Sequence, residues 1–300
     1  MLLRFQMKWV IGESDAGKLV REFLKEEEIS RTALTDIKFK GGHIQVNGEE
    51  VNVRYRLAMS DEITVIFPSE SPAEGLLGED IPLAILYEDE YLLVVNKPAG
   101  MNTIPSREHP SGSLANGLVG YYQRSGLQAT SHIVTRLDRD TSGIVLIAKH
   151  RHVHHLFSMM QRSGQVKRTY EAFSEGRIPL DNGTIIAPIG RKDDSIIERE
   201  VRADGQYACT HYQVLARHRS FTYLELVLET GRTHQIRVHL SYLKHPLLGD
   251  DLYGGGLSFI ERQALHCSKI KFLHPFLKKE MMFTAPLPRD MGDLLKADLL

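Results

Sequence analysis

The sequence is poor in the features that mark secreted and membrane proteins. Its 300 residues include only two cysteines, Cys209 and Cys267, which are far apart and lack a Cys-x-x-Cys partner. This argues against a disulfide framework and against a thiolate zinc site. No apolar run approaches the roughly 20 residues needed to cross a bilayer, and residues 1–10 lack the apolar stretch and cleavage site of an export signal. We therefore expect a cytoplasmic protein with no membrane partner.

Recognisable cofactor motifs are also missing. Residues 254–256 are three glycines, but no strand precedes them and no Gly-Lys-Thr follows, so they do not form a phosphate-binding loop. His150 and His154 have the spacing used by zinc enzymes, yet Arg151 stands where His-Glu-x-x-His has its glutamate. The sequence thus predicts no nucleotide cofactor and no metal. We interpret the clustered histidines as the surface of a helix.

Neither sign of charge dominates the chain. Its 37 lysines and arginines face 38 aspartates and glutamates, for a net charge of −1 at pH 7. A basic balance would have supported binding to nucleic acid, where neutralised phosphates supply much of the affinity. The overall charge therefore argues neither for nor against such a partner. A basic groove would have to be local, and basic residues do concentrate between residues 136 and 168.

One acidic residue stands in an unusual local setting. Residues 135–143 read Thr-Arg-Leu-Asp-Arg-Asp-Thr-Ser-Gly, which places Asp138 between Arg136 and Arg139 and just before a short apolar strand. Nearby positive charge favours the ionised carboxylate, which is then available as a nucleophile or a base. Taken alone, the motif is more typical of a surface loop with a solvated ion pair.

Three further segments accompany this motif. They are Lys-Pro-Ala-Gly at residues 97–100, Lys-Arg-Thr-Tyr-Glu-Ala at 167–172, and Thr-Gly-Arg-Thr-His-Gln-Ile-Arg-Val-His-Leu at 230–240. Together and in this order, the four segments resemble the RluA/RluD family of RNA pseudouridine synthases, from about residue 85 to the C terminus. One departure is Thr135, which stands where the family usually has a histidine. We interpret that change as affecting loop packing or RNA fit rather than activity.

The resemblance implies a fold and an activity. The fold would be α+β, with a mixed, mainly antiparallel central sheet and flanking helices. The enzyme would convert specific uridines in structured RNA to pseudouridine without a cofactor, after flipping the target base out of its stack. Strands are expected at residues 91–96, 144–148, 169–173, 207–215 and 221–228, and helices at 113–124, 150–162 and 233–243.

The resemblance also assigns roles to residues. Asp138 would be the essential acid, Arg237 its basic partner, and Tyr170 the aromatic residue that packs on the flipped uracil. Arg136 would fill the gap that the uracil leaves. The sequence leaves open whether Asp138 attacks the sugar, adds to the ring or abstracts a proton. Further contacts to substrate or RNA are expected from Arg139, Thr141, Lys97, Arg168, Arg232 and Gln235.

The first part of the chain has a different pattern. Two short amphipathic helices, the second capped by Ser30, lead into a small sheet in which Asn47-Gly48 is a hairpin signal. These residues resemble an S4-type RNA-binding domain, a small α/β module. Its RNA-facing residues would be Arg31, Lys38 and Lys40. A solvated charged face is the alternative interpretation.

These patterns divide the chain into two domains. Residues 69–80 are polar and interrupted by proline, as in a linker. We therefore expect an S4-like domain at residues 1–68 and a catalytic domain at 81–300. Large-subunit ribosomal RNA is the first expected substrate and transfer RNA the second. Two alternatives remain at this point, a non-catalytic RNA-binding ribosome-assembly factor and a metal-dependent hydrolase that uses the clustered histidines.

Overall fold

Residues near the N terminus form a small sheet of their own. The computed structural model describes residues 4–297. The first sheet has the strand order β1-β4-β2-β3, and all of its pairs are antiparallel. Its strands are β1 (Gln6–Val10), β2 (His43–Val46), β3 (Glu49–Glu50) and β4 (Glu62–Ile66), and its helices are α1 (Val20–Glu26) and α2 (Arg31–Phe39).

Local sequence explains most of this unit. The Ser30 side chain accepts a hydrogen bond of 3.1 Å from the backbone N–H of Ala33, which caps α2 as expected. Asn47 and Gly48 both have positive φ, 54° and 85°, as a tight hairpin between β2 and β3 requires. The edge strand β1 is not predicted from the sequence, and it pairs with β4 over five residues.

The rest of the chain is built on a ten-stranded sheet. Its strand order is β10-β13-β14-β9-β15-β8-β6-β5, with β16 paired to β15 and β7 to β8. The strands are β5 (Ile85–Glu88), β6 (Leu92–Lys97), β7 (His132–Ile133), β8 (Ser142–Ala148), β9 (Lys167–Glu175), β10 (Asn182–Ile186), β13 (Cys209–Arg217), β14 (Phe221–Leu228), β15 (Leu265–Leu273) and β16 (Glu280–Thr284). A separate hairpin is formed by β11 (Ile189–Arg191) and β12 (Arg199–Val201).

Helices flank this sheet. They are α3 (Leu114–Ser125), α4 (Arg151–Arg162), α5 (Gln235–Tyr242) and α6 (Arg289–Ala297), and a short 3-10 helix spans Asp251–Tyr253. Within the described residues, β8 and β15 form the one parallel pair of the sheet. The predicted mixed, mainly antiparallel α+β architecture is therefore confirmed, and each of the five expected strands and three expected helices is present. No helix in residues 4–297 is long and apolar enough to cross a membrane.

A glycine allows the parallel pair to form. Gly143 has φ of 116°, and a Cβ atom added there would lie 2.3 Å from the carbonyl oxygen of Cys267 on β15. Only glycine tolerates both that backbone conformation and that approach. The Ser-Gly corner at the start of β8 thus fixes the loop before it against the middle of the sheet.

The two units meet at an aromatic interface. The ring of Phe5 stacks on His150 with centroids 4.0 Å apart, and Phe67 stacks on His152 at 5.5 Å. Both histidines are buried. The expectation that the clustered histidines form a helix surface is therefore wrong for these two. Helix α4 has buried positions on more than one side because the N-terminal unit packs against it.

The segment between the units is held at its beginning. The Glu70 carboxylate contacts the ring of His132 and accepts a hydrogen bond of 2.9 Å from the backbone N–H of Arg151. The Arg151 guanidinium in turn binds Asp36 of α2 at 2.8 Å. The predicted linker at residues 69–80 is therefore attached to the large unit, because Glu70 contacts His132 of β7 and the first residue of α4.

Candidate active site

The loop that bears Asp138 is fixed on both sides of that residue. The Thr103 hydroxyl donates a hydrogen bond of 2.6 Å to the carbonyl of Leu137 and accepts one of 3.2 Å from its N–H. On the other side, Lys97 Nζ donates to the carbonyl of Arg139 at 3.0 Å. The Asp138 side chain itself is 29% exposed. A rigid loop thus presents a partly open carboxylate.

Lys97 is an internal support and not an RNA contact. It ends β6 fully buried, and its ammonium also donates to the carbonyls of Pro98 at 2.9 Å and Met101 at 2.8 Å. Burial lowers the pKa of Lys97 to about 7, although the charges of Asp140 and Asp138 oppose that shift. The expected substrate contact is corrected here, because three backbone carbonyls occupy the ammonium group.

Arg237 on α5 links two acids. Its Nε and Nη2 each lie 2.8 Å from an oxygen of Asp250, and its Nη1 lies 3.3 Å from Asp138 Oδ2. The guanidinium also lies 4.9 Å from the ring centroid of Tyr253. Burial by itself would lower the pKa of Arg237, but the hydrogen bonds and charge of Asp250, aided by Asp138, raise it above its ordinary value. Arg237 therefore stays cationic beside Asp138.

His234 completes the surroundings of the carboxylate. It precedes α5 in the left-handed conformation, with φ of 57°. Its Nδ1 lies 2.7 Å from the Tyr253 hydroxyl and its Nε2 lies 3.8 Å from Asp138 Oδ2. Burial lowers the pKa of His234, against the opposing effect of Asp138. A left-handed histidine is uncommon for a residue with a side chain, and here it turns the ring toward Asp138.

Tyr170 reaches the same part of the sheet from β9. Cys267 on β15 is the register partner of both Tyr170 and Gly143, so the ring lies level with the end of the loop that bears Asp138. Burial raises the pKa of Tyr170 above its ordinary range, and the charge of Asp138 adds to the rise while Arg168 opposes it. Arg168 Nη1 donates to the tyrosine hydroxyl at 3.0 Å. Of the two side chains predicted to flank Asp138, Arg237 contacts it, whereas Tyr170 is 4% exposed and is level with the end of its loop by strand register.

Two expected substrate contacts are buried instead. Thr141 is 2% exposed and accepts a hydrogen bond from Gln263. Gln235 is 3% exposed, and its amide bonds to Thr230, to the N–H of Arg232 and to backbone and side-chain atoms of β13. Both predictions are corrected, because these side chains complete internal hydrogen bonds that buried polar groups require.

Thr135 is also internal. Its hydroxyl accepts a hydrogen bond of 2.9 Å from the N–H of Leu146, and the residue is 1% exposed. The residue where the family usually has histidine thus serves the packing of the loop on β8.

The remaining predicted basic residues lie at the surface. Arg136, Arg139 and Arg232 are exposed around the site. Arg232 lines a depression of about 310 Å³ beside His234. That depression is also lined by Arg191 and Arg199 of the β11–β12 hairpin and by Asp204, so three arginines face one acid there. No sequence motif indicated this hairpin.

On the N-terminal unit, two of the three predicted residues share one side. Arg31 and Lys38 are exposed and seven residues apart on α2, a spacing that returns to the same helix face. Lys40, just beyond the helix, binds Asp36 at 2.9 Å. Phe39 is 73% exposed, and Lys38 Nζ lies 4.8 Å from the centroid of its ring. All three predicted residues are thus exposed, Lys40 is paired with an acid, and an exposed aromatic ring lies beside Lys38.

The site thus joins a partly exposed aspartate, the arginine paired with it and a tyrosine on a strand level with it, and the comparisons with known proteins give the class of enzyme. The family model described as RNA pseudouridylate synthase matches residues 91–242. The chain belongs to the RluA/RluD family of RNA pseudouridine synthases, and it is an enzyme that converts uridine in RNA to pseudouridine.

Individual relatives agree with this assignment. The chain is 55% identical to "Uncharacterized RNA pseudouridine synthase YjbO" of Bacillus subtilis (strain 168), over 93% of this chain and 99% of that one. It is 36% identical to "Ribosomal large subunit pseudouridine synthase D" of Xanthomonas campestris pv. campestris, over 96% and 91%. Among solved structures, human RNA pseudouridylate synthase domain containing 4 matches with a TM-score of 0.58 and 25% identity, over 71% of this chain and 92% of that one.

Proposed function

We propose that Asp138 is the essential acid of the isomerisation and that Arg237 and His234 orient its carboxylate. The observation that supports this most directly is the contrast between the side chain and its backbone. The carboxylate is 29% exposed, whereas the peptide groups of Leu137 and Arg139 are bonded to buried Thr103 and Lys97. Such an arrangement holds a reactive group in place before the substrate arrives.

The chemistry sets out what the site has to do. The bond from ribose C1′ to uracil N1 breaks, a bond from C1′ to C5 forms, the hydrogen on C5 leaves as a proton, and N1 gains one. No oxidant, reductant or energy source enters this balance. The protein has to supply an ionised acid, a surface that holds the detached base and a site that excludes water. Asp138 and Tyr170 are our candidates for the first two.

The uridine has to leave its stack to reach Asp138, at a cost of a few kcal/mol. We propose that the exposed Arg136 fills the gap, since its planar guanidinium can stack on bases. Tyr170 would pack on the extruded uracil, a contact of about 1–3 kcal/mol by analogy with other base–aromatic stacking. The depression lined by Arg191, Arg199 and Arg232 would receive phosphates next to the flipped nucleotide.

For the substrate we propose large-subunit ribosomal RNA, with transfer RNA second. One relative's name specifies the ribosomal large subunit. We further propose that residues 1–68 form an S4-like RNA-binding domain that residues 69–80 join to a catalytic domain at 81–300. On it, Arg31 and Lys38 would contact phosphates and Phe39 would stack on a base. A ribosomal RNA substrate also fits the cytoplasmic location expected from the sequence.

Asp138→Asn tests the assignment of the essential acid. The change removes the negative charge with little change in shape, so the variant should fold and bind RNA as the wild type does while losing isomerisation by at least about 1,000-fold. Tritium release from RNA labelled at uracil C5 measures turnover, and filter binding measures RNA affinity. Wild-type turnover in this variant would remove Asp138 from the mechanism. If an inactive Asp138→Asn variant restores the growth of a deletion strain as well as the wild type does, the alternative function of a non-catalytic ribosome-assembly factor is favoured instead.

A further inference from the structure

Three potential metal ligands converge on β13 and β14, one strand in from an edge of the large sheet. Cys209 and His211 are two residues apart on β13, so their side chains lie on the same face of the sheet. Glu229 follows β14 directly, and its N–H donates to the carbonyl of Cys209 at 3.2 Å, which places it across from Cys209. Opposed side chains on one face of an antiparallel pair are close neighbours. Strand pairing therefore brings a thiol, an imidazole and a carboxylate together.

The distances between the donor atoms suit a single ion. His211 Nε2 lies 3.8 Å from Cys209 Sγ and 2.8 Å from Glu229 Oε1, and the three donor atoms lie within 4.8 Å of one another. Zinc bonds of about 2.3 Å to sulfur and 2.0–2.1 Å to nitrogen put tetrahedral ligand atoms roughly 3.5 Å apart. To complete a ligand set, the His211–Glu229 separation would have to lengthen by about 0.7 Å and the His211–Cys209 separation to shorten by about 0.3 Å.

The orientation of the imidazole distinguishes a metal site from a nucleophilic triad. In a Cys-His-acid triad, one ring nitrogen faces the thiol and the other faces the acid. Here the same nitrogen, Nε2, faces both Cys209 and Glu229, while Nδ1 lies 2.9 Å from the Thr184 hydroxyl on the neighbouring strand β10. A histidine ligand whose second nitrogen is held by an outer partner is the usual arrangement at metal centres.

We propose that Cys209, His211 and Glu229 bind a Zn²⁺ ion, with a fourth position open to solvent. A thiolate together with an imidazole selects zinc over magnesium or calcium. The thiol proton passes to solvent when the sulfur binds the metal. The half-exposed Glu229 and His211 leave a route for the ion, although Cys209 itself is 1% exposed. This site is independent of the catalytic roles proposed above.

The expected consequence is local stiffening next to the active site. The N–H of Cys209 donates to the Thr230 hydroxyl at 3.0 Å, and the Gln235 amide donates to its carbonyl at 3.0 Å. Thr230 and Gln235 bracket the segment that leads into α5, which bears Arg237. A metal on Cys209 and Glu229 would cross-link the start of β13 to the end of β14 beneath that segment.

Cobalt titration of the metal-free, full-length protein tests the proposal. Thiolate-to-cobalt charge-transfer absorption should appear and saturate at one equivalent, and Zn²⁺ should abolish it by displacement. Cys209→Ser should eliminate the charge-transfer band. His211→Ala and Glu229→Gln should weaken binding by more than the ~10–100-fold expected for loss of an outer partner, and Thr184→Val by about that amount.

The chain offers matched controls. His43 and Glu50 form another cross-strand pair, 3.3 Å apart and of similar exposure, without a thiol. His43→Ala should leave cobalt affinity unchanged, and Cys267→Ala should retain the charge-transfer band. Zn²⁺ should also raise the melting temperature of the wild type and of His43→Ala but not of Cys209→Ser. Absence of the band at millimolar cobalt, or its survival in a folded Cys209→Ser variant, would overturn the proposal.

Discussion

Arg237 and Asp250 form a buried, two-pronged ion pair, in which Nε and Nη2 of the guanidinium each lie 2.8 Å from a different carboxylate oxygen. The side chains are 7% and 0% exposed. This pair fixes the plane of the guanidinium and leaves Nη1 directed at Asp138. Asp250 therefore determines where the positive charge stands relative to the proposed essential acid.

Asp250→Asn should lower both the stability of the protein and its rate of turnover. Removing one charge leaves Arg237 buried without its main partner, and breaking a buried pair in this way costs about 3 kcal/mol. Turnover should fall as well, because the Arg237 guanidinium is then no longer held in one orientation relative to Asp138. Urea unfolding and tritium release measure the two effects.

As a control, Asp290→Asn removes an equally two-pronged partner from Arg262, but there the acid is 44% exposed. That change should cost about 1 kcal/mol or less, and equal losses in the two variants would contradict the role of burial.

Thr103→Val should slow catalysis without weakening substrate binding. The change keeps the shape but removes the hydroxyl that bonds both the carbonyl and the N–H of Leu137. A buried carbonyl left without a partner costs about 1–3 kcal/mol of stability. A small displacement of the loop should lower kcat by about 10–100-fold with little change in KM. Thr103→Ser retains the hydroxyl and should restore kcat. Normal turnover in the valine variant would show that Lys97 alone suffices to hold the loop.

The interface between the two units should weaken at low pH through His152. Burial, aided by the charges of His155 and His150, lowers the pKa of His152 from 6.5 to about 4. The unfolded chain therefore binds more protons than the folded one between about pH 6.5 and 4. Stability is fully present above this range and is lost as the pH falls through it.

His152→Phe isolates this contribution. Neither ring nitrogen of His152 has a hydrogen-bond partner among the described residues, and a phenyl ring can keep the stacking on Phe67. When the pH falls from 8 to 5, the free energy of unfolding of the wild type should decrease by about 2 kcal/mol more than that of the variant. Urea unfolding at the two pH values checks this. If both proteins lose stability in parallel, His152 does not titrate as its burial requires.

The sequence was sufficient to predict the class of fold and the pairing of Arg237 with Asp138, because apolar strands, turn signals and the order of motifs are all local. His234, whose Nε2 lies 3.8 Å from Asp138 Oδ2, was not among the predicted site residues. It did not indicate β15, although that strand joins Tyr170 to the start of β8. The reason is that its buried face includes polar side chains such as His266, which bonds to Ser142. A strand with buried polar residues loses the alternation by which strands are recognised.

The roles of individual polar residues were harder to predict. Lys97, Thr141 and Gln235 sit in motifs of the expected family, and each was assigned to the substrate, yet each is buried against backbone or side-chain partners. Asp250 was assigned no role from the sequence, although it is the main partner of Arg237. Whether a polar side chain faces the cleft or the core depends on long-range packing, which spacing along the chain does not encode.

Salt dependence of RNA binding can test the proposed S4-like surface. Arg31→Ala combined with Lys38→Ala should lower the slope of log affinity against log salt concentration by about 2, one unit for each phosphate that is no longer neutralised. Turnover on a short uridine-containing RNA should be unchanged, because both residues lie outside the catalytic unit. Filter binding of a structured ribosomal RNA fragment at several salt concentrations measures the slope.

Lys40→Ala provides the comparison that makes this result specific. It removes the same charge from the same unit, but Lys40 already binds Asp36, which also binds Arg151 across the interface. A cation held by an acid releases fewer counterions from RNA, so the slope should stay close to that of the wild type. If Lys40→Ala lowers the slope as much per charge as the double variant, the N-terminal unit attracts RNA by its charge in general. If only Arg31 and Lys38 matter, one face of α2 contacts the phosphates, and Phe39 beside Lys38 becomes the next residue to replace.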